Sequence, residues 1–299
     1  MDVMNQNHEK ISPAVSGTIA AFAAYIMWGL FPLYWRLLAS VPSMQILAHR
    51  IVWAAVFCAV LMVGRKRLGE IASLVKNWKT FLVVLAASCV VTANWGLYIW
   101  AINSGHVLES SLGYYINPLI SVLLGALFFS EKVDRWTGSA VAIAAAGIVG
   151  AAIAYGSVPW ISLALGFTFA VYGALKKRLH LDPLLGLTVE TLAAAPFALA
   201  YLAACNAGGT GSFWNAGAFI SLLLAMAGVV TALPLFCFAA AANSISLQKM
   251  GFIQYVSPTS QLLLALFAFR ETPSSALFVA FGGVIVAVLI YIFSRKKAG

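Results

Sequence analysis

The sequence carries one set of short motifs twice, with the two copies about 140 residues apart. The repeated motifs, first copy with second, are Val90-Val91-Thr92-Ala93 with Val229-Val230-Thr231-Ala232, Asn103-Ser104 with Asn243-Ser244, Tyr115-Ile116-Asn117-Pro118 with Tyr255-Val256-Ser257-Pro258, and Phe129-Ser130-Glu131 with Phe269-Arg270-Glu271. Because the offset is nearly constant, one half of the chain is a diverged copy of the other. Such repeats in a membrane chain are typical of secondary transporters, which bind their substrate between the halves.

Composition places the chain in a membrane. The sequence is 62% hydrophobic and only 9% charged, whereas soluble domains carry about 25% charged residues. Too little polar surface remains to cover a core in water, so we predict an all-α integral membrane protein. The net charge of +9 comes from Lys and Arg in short segments between apolar runs. Membrane topology explains that pattern better than nucleic acid, and we expect the lipid bilayer, not a polyanion, as the partner.

Ten segments are long and apolar enough to cross a bilayer, which takes about 20 residues at 1.5 Å per residue. The predicted spans are 15–38, 44–64, 80–102, 108–129, 136–154, 158–175, 183–204, 218–241, 247–269 and 274–294. They form two five-helix repeats, 15–154 and 158–294, between a segment 1–14 and a basic tail 295–299. Five is an odd number, so the second repeat enters the membrane in the opposite orientation and the repeats are inverted.

Lys and Arg residues predict the orientation of the spans. The loops that would lie outside contain neither residue: 39–43, 103–107, 155–157 and 205–217. Most of the 18 Lys and Arg residues fall in the alternate segments, so we expect both termini to be cytoplasmic. The first apolar run is too long for the core of a signal peptide and is expected to stay as a membrane helix.

Two prolines in matched positions predict a shared cavity. Pro118 and Pro258 each fall near the centre of a predicted span, where proline removes a backbone donor and opens the helix. The freed carbonyl needs a partner within the protein or a wet cavity; packing kinks without ligand contact are the alternative. Polar and aromatic residues nearby, together with two intramembrane charges, give the predicted substrate-binding residues: Arg50, Asn94, Trp95, Tyr98, Tyr115, Asn117, Glu190, Gln254 and Tyr255.

The charges inside the spans occupy matched positions with opposite signs. Arg50 corresponds to Glu190, and Lys249 corresponds to Glu109. A charge at the bilayer centre costs at least about 2.5–3.5 kcal/mol, so it usually faces protein or water. Arg50 would bind a carboxylate or phosphate, or else carbonyl groups that hold the helices together.

Three titratable residues are candidates for proton coupling: Glu190, His49 and Glu109. Glu190 could carry a proton if burial raises its pKa, or it could bind a cationic group. His49 is otherwise a packed polar residue, and Glu109 lies closer to the membrane surface.

The chain lacks the motifs of an intramembrane enzyme or an ATP-driven pump. It contains no GxSxG, HExxH or GxxxxGK[ST] sequence, so we expect no catalysis. The four cysteines lie in or beside apolar runs and form no CxxC pair. We therefore expect no metal site, no disulfide framework and no cofactor.

Several strings resemble a known family over essentially the full length. They are Ala48-His49-Arg50-Ile51-Val52-Trp53, Asn94-Trp95-Gly96-Leu97-Tyr98-Ile99-Trp100, Asn103-Ser104-Gly105-His106-Val107-Leu108-Glu109 and Gly113-Tyr114-Tyr115-Ile116-Asn117-Pro118. Together with ten spans and the late Pro-then-Glu elements, they resemble the drug/metabolite transporter superfamily, in its EamA branch and of RarD type. Members of that type are conventionally labelled chloramphenicol-sensitivity proteins, which defines no physiological substrate.

The resemblance implies a multi-pass protein of the bacterial inner membrane that exports or exchanges small solutes by alternating access. We expect a small amphipathic or amino-acid-like metabolite or drug as substrate, with a proton or a counter-solute as an optional second partner. The alternative is a sensor or assembly subunit that binds a small molecule without transporting it.

Overall fold

The computed structural model describes residues 13–130, 133–156, 158–179, 181–242, 244–245 and 253–297. Every regular element in these ranges is helical. The helices are α1 (Pro13–Leu37), α2 (Ser43–Gly64), α3 (Leu68–Lys76), α4 (Trp78–Asn103), α5 (Val107–Phe129), α6 (Arg135–Tyr155), α7 (Trp160–Leu179), α8 (Pro183–Ala207), α9 (Ala218–Ala242), α10 (Val256–Leu263) and α11 (Ser275–Lys297). A π-helical turn, Leu264–Ala268, continues α10.

Seven of the described helices are long and apolar enough to cross a membrane: α1, α2, α4, α5, α6, α8 and α9. The shorter apolar stretches Val256–Ala268 and Ser275–Ile290 belong to α10 and α11. The chain is therefore a multi-pass membrane protein, and most helices begin and end near the predicted bounds. The total of ten spans stays a prediction. Glu131 and Lys249 lie outside the described residues.

Helix α3 is an element that the apolar pattern does not predict. It is only nine residues long, is flanked by basic residues and lies between the predicted spans 44–64 and 80–102. Both carboxylate oxygens of Glu70 accept hydrogen bonds from Arg67 at 2.7 Å, and Arg67 also lies 3.2 Å from Asp182. The Arg67 guanidinium lowers the pKa of the Glu70 carboxyl. Asp182 in turn caps α8 by accepting from the Leu185 N–H, so α3 is tied to the start of α8.

Helices of the first half pack mainly on helices of the second. α1 contacts α9 and α10; α2 contacts α8 and α9; α4 contacts α7 and α8. α5 contacts α7 and α10, and α6 packs along α11. One hydrophobic core therefore runs through both halves, and neither half buries its apolar surface alone.

The repeated Phe-x-Glu motif lies at the end of α5 in the first half and at the end of the π turn in the second. Its middle residue has the same backbone conformation in both copies. Ser130 and Arg270 occupy matched positions, and each adopts a φ of 54°. This left-handed conformation costs a residue with a side chain about 1–2 kcal/mol, so its occurrence at both positions indicates a shared local requirement. In both places the helix stops and the chain turns away.

Glycines let α6 and α11 approach closely. A Cβ atom added to Gly283 would lie 2.8 Å from the Gly147 Cα, and one added to Gly147 would lie 2.9 Å from the Gly283 Cα. Helices in lipid associate through close packing rather than through the hydrophobic effect, so small residues concentrate at such crossings. The neighbouring Gly282 has no heavy atom within 4 Å of an added Cβ.

We predict that Gly283→Ala destabilises the α6–α11 crossing by about 1–3 kcal/mol, the usual cost of overpacking. The thermal unfolding midpoint in detergent measures the effect. Gly282→Ala adds the same methyl group one residue away and is the matched control, expected to be neutral or slightly stabilising. Equal midpoints for the two variants would contradict the close crossing.

Candidate solute-binding cavity

A cavity of about 230 Å³ lies where helices of both halves meet. Residues of α1, α2, α4, α5, α7, α9 and α10 line it. The predicted site residues in the lining are Arg50, Asn94, Trp95, Tyr98, Asn117, Gln254 and Pro258. The lining residues absent from the predicted site include Tyr25, Trp28, Phe31, Ser121, Phe169, Tyr172, Phe238 and Gln261. Nothing in an apolar span distinguishes an aromatic residue of a cavity wall from one of the core, so no sequence signal identified the aromatic residues. Ser121 and Gln261 are different: each is a polar residue three positions after a matched proline, and the signal that predicted Asn117 and Gln254 could have found them.

Arg50 brings a positive charge to the cavity lining without an acidic partner. Its side chain is 4% exposed, and none of the ion pairs among the described residues includes it. Its Nε donates to Thr231 Oγ1 at 2.8 Å, and its Cζ lies 4.1 Å from the Trp95 ring centroid and 5.1 Å from that of Trp35. Ring faces attract a desolvated cation. The cation is thus held by π faces and one hydroxyl, while Nη1 has no hydrogen-bond partner in the described part of the chain.

Two lining amides are held in place through their NH₂ groups. Asn94 Nδ2 donates to the Leu165 carbonyl at 3.0 Å and to Thr168 Oγ1 at 2.8 Å. Gln261 Nε2 lies 3.3 Å from both the Trp28 carbonyl and Ser257 Oγ. Within the described residues, Asn94 Oδ1 and Gln261 Oε1 have no donor. Two residues of the lining therefore carry buried amide carbonyls whose hydrogen-bonding capacity is unused.

Glu190 lies outside the cavity lining and has its own cation. Its Oε1 accepts from Lys176 Nζ at 2.8 Å, and its Oε2 accepts from the Tyr172 hydroxyl at 3.0 Å. Tyr172 does line the cavity, so Glu190 lies behind it. The Ser88 hydroxyl also donates to the Glu190 carbonyl at 2.7 Å. Arg50 and Glu190 hold matched sequence positions, but they do not share the cavity.

Tyr115 and Tyr255 join helices rather than line the cavity. Their rings stack with centroids 6.1 Å apart, and the Tyr115 hydroxyl hydrogen-bonds Thr259 Oγ1 at 2.7 Å. Asn117 lines the cavity, and its amide donates to the Gly166 carbonyl at 3.1 Å. This group of residues therefore holds α5 against α10 and α7.

The two matched prolines lie in different local structures. Pro118 lies inside the continuous helix α5, whereas Pro258 lies in the first turn of α10, where an N–H group is not needed. The Pro258 carbonyl accepts from the Ser111 hydroxyl at 2.8 Å, so α5 again contacts α10. Only the second copy places its proline in the cavity lining.

His49 and Glu109, the other candidates for proton coupling, lie away from the lining. His49 stacks on Phe213 with ring centroids 5.1 Å apart. Glu109 Oε1 lies 2.9 Å from His106 Nδ1 at the start of α5. Neither side chain contributes to the central cavity.

Glu271 caps the start of α5, a role that the sequence did not reveal. Its carboxylate oxygens accept from the backbone N–H groups of Val107 at 3.1 Å and Leu108 at 2.9 Å. The free N–H groups and the dipole at a helix start favour an anion. Burial raises the pKa of Glu271, although these two N–H groups and the nearby charges of Arg36 and His106 oppose that change. We call this contact the Glu271 cap.

We predict a pH-dependent contribution of the Glu271 cap to stability. Because its folded pKa is raised above the ordinary 4.5, the folded protein binds this proton more tightly than the unfolded chain does. Stability from this group is fully present below pH 4.5 and is lost as pH rises through the folded pKa. The difference in unfolding midpoint between wild type and Glu271→Gln, measured from pH 4 to 7, should therefore change with pH. The pKa of Glu70 is instead lowered, so Glu70→Gln is the control, and an equal pH dependence for both variants would contradict the assignment.

A double-mutant cycle should reveal the buried ion pair of Lys176 with Glu190. Their side chains are 27% and 1% exposed, respectively, so Lys176→Met leaves the more deeply buried charge alone. We expect this variant to lose about 3–5 kcal/mol of unfolding free energy, the cost of breaking a buried pair from one side. Glu190→Gln should lose less because Lys176 keeps water contact. The double variant should recover most of the loss; additive effects would show that the pair is not coupled.

Comparison with known proteins assigns the chain to a family. Residues 15–153 match the EamA-like transporter family. The chain is 46% identical over 293 residues to the uncharacterized transporter YojE of Bacillus subtilis, covering 94% of this chain and 95% of the relative. It is 38% identical over 286 residues to the protein RarD of Salmonella typhi, with coverages of 94% and 97%. A solved crystal structure that is 19% identical in sequence shares the fold, with a TM-score of 0.61. The match covers 94% of this chain and 98% of the chain in that structure. The chain therefore belongs to the EamA family of transporters and, within it, to the RarD type.

Proposed function

We propose that this protein is a secondary transporter that moves a small amphipathic or amino-acid-like metabolite or drug across the bacterial inner membrane. The main support is the cavity between the two halves, whose lining residues combine, within the described ranges, a cation without an acidic partner, aromatic walls and amide carbonyls without donors. Ligand sites are typically such mostly apolar cavities with a few placed polar groups. In this proposal, the substrate-binding residues are Arg50, Asn94, Trp95, Tyr98, Asn117 and Gln254.

We further propose ten transmembrane helices in two inverted repeats. The helix contacts support this arrangement. In two matched repeats, each helix of the first half has a counterpart in the second: the pairs are α1 and α7, α2 and α8, α4 and α9, α5 and α10, and α6 and α11. When each helix is replaced by its counterpart, the contacts α1–α9, α1–α10 and α2–α9 correspond to α7–α4, α7–α5 and α8–α4. Each of these is also a contact in this protein. The matched φ values of Ser130 and Arg270 agree with the exchange.

Alternating access would open the cavity to each side of the membrane in turn, in export or in exchange. With both termini cytoplasmic, as the Lys and Arg pattern predicts, the Glu271 cap lies at the outer surface. It joins the loop after α10 to the start of α5, so it links these two segments on that side of the membrane. A proton or a counter-solute would drive the cycle, and the roles of Glu190, His49 and Glu109 in proton coupling stay predictions.

Two measurements test transport. Metabolite profiles of cells with and without the protein would identify solutes whose distribution it changes, and proteoliposome flux would then be measured for those solutes. We expect Arg50→Ala to abolish flux while the protein still inserts, because it removes the cation from the cavity. Arg65→Ala removes an arginine just after α2, outside the lining, and should keep the flux of wild type.

The outcome that would replace the proposal is binding without movement. If solutes bind the purified protein but none crosses the membrane in either direction, the chain is a sensor or an assembly subunit instead.

A further inference from the structure

We infer that the transported solute is an organic monoanion, a carboxylate on a flat apolar body that also carries a neutral N–H or O–H donor. The inference rests on the proposed function, since it names the substrate class of that same cavity. It follows from the charge, the walls and the unused hydrogen-bonding groups of the lining.

The charge of the lining favours an anion. Among the lining residues in the described ranges, Arg50 is the one that carries a formal charge. The acid at its matched position, Glu190, is paired with Lys176 and lies outside the lining. A cationic solute would meet the Arg50 charge with no carboxylate in the lining to offset it, whereas a carboxylate would supply the missing partner. Arg is well suited to this role because its planar fork binds carboxylates through paired N–H groups.

The walls favour a flat apolar body beside that carboxylate. Rings from several helices surround the space, among them Trp28, Trp95, Tyr98, Tyr114, Phe169 and Phe238. Aromatic walls contribute large contact areas and prefer offset or edge-on packing with another ring. Because Trp95 also lies under the Arg50 guanidinium at 4.1 Å, the cation and an aromatic wall are adjacent. A solute that reaches Arg50 with its carboxylate therefore places its body against rings.

The unused carbonyls favour a neutral donor on the solute. Asn94 Oδ1 and Gln261 Oε1 lack partners in the described part of the chain, as does the Tyr98 hydroxyl. These oxygens are buried, and a buried acceptor without a donor is unfavourable, so an N–H or O–H group of a bound solute in contact with one of them would relieve that cost. An ammonium group could reach the same carbonyls, but in this lining it would also meet the Arg50 charge. The lining should therefore bind a monoanion more tightly than an amino acid zwitterion, which carries an ammonium group.

A matched set of indole compounds tests the inference on the purified full-length protein. Indole-3-acetate has the carboxylate, a flat body and a ring N–H; indole-3-acetamide keeps the shape without the charge. Tryptamine carries a cation and tryptophan is a zwitterion. In calorimetric titrations at pH 7, we expect indole-3-acetate to bind at least ten-fold more tightly than each of the other three. Equal or tighter binding of any of them, or no binding of indole-3-acetate, would overturn the inference.

Two variants assign the selectivity to the charge of the lining. Arg50→Gln should remove the preference for the acetate over the acetamide, while Arg65→Gln, outside the lining, should keep it. Should Arg50→Gln fail to fold, Gln261→Glu places a negative charge in the same lining. It should weaken indole-3-acetate binding at least ten-fold and strengthen tryptamine binding. If the preference persists in a folded Arg50→Gln variant, or if Gln261→Glu leaves both affinities unchanged, the assignment to Arg50 is wrong.

Flux measurements keep the two proposals apart. If another solute class crosses the proteoliposome membrane through the wild-type protein, transport stands and the monoanion inference fails. If indole-3-acetate binds with the expected preference but no solute is moved, the binding class stands and the transport proposal fails.

Discussion

A positive charge buried within a membrane domain is the constraint on which the cavity depends. Arg50 is 4% exposed, and a centrally placed charge costs at least about 2.5–3.5 kcal/mol even on insertion scales. The surrounding residues offset part of that cost without cancelling the charge: Trp95 and Trp35 present their rings, and Thr231 accepts one N–H. A carboxylate partner from the protein would have lowered the cost further. No such partner lies near Arg50 among the described residues, and its Nη1 has no hydrogen-bond partner there.

The two halves treat their matched charges differently. Glu190 is neutralised by Lys176 and receives a hydrogen bond from Tyr172, whereas Arg50 faces aromatic rings. Duplication alone would produce equivalent surroundings, so the difference arose as the halves diverged. An asymmetric solute needs an asymmetric site, and under the proposed function this division provides one. The charge of one half is paired within the protein, while that of the other lies in the cavity lining.

Much of the architecture could be predicted from the sequence because lipid imposes strong rules. Apolar runs of sufficient length become helices, since the backbone must satisfy its own hydrogen bonds, and polar residues such as Asn94, Asn117 and Gln254 reach the cavity because lipid excludes them. Helix rotation is less predictable. Tyr115 and Tyr98 look alike in the sequence, yet one holds α5 to α10 and the other lines the cavity. Lys176 lies near a helix end, where Lys and Arg mark the topology of the spans, and its hydrogen bond to Glu190 depends on how α7 packs beside α8.

Contacts along α5 restrict how the cavity can open. One face of α5 carries several residues spaced about four positions apart. They are Val107 and Leu108 at the start of the helix, then Ser111 and Tyr115. They bind Glu271, the Pro258 carbonyl and Thr259, respectively. The start of α10, through Pro258 and Thr259, and the loop beyond it, through Glu271, are thus both hydrogen-bonded to α5. Sliding α10 past α5 would break all of these hydrogen bonds, while moving the two helices together would break none of them. The contacts that must change during such a movement are then those of α5 with α7 and of α10 with α1, the pair related by the proposed exchange of halves.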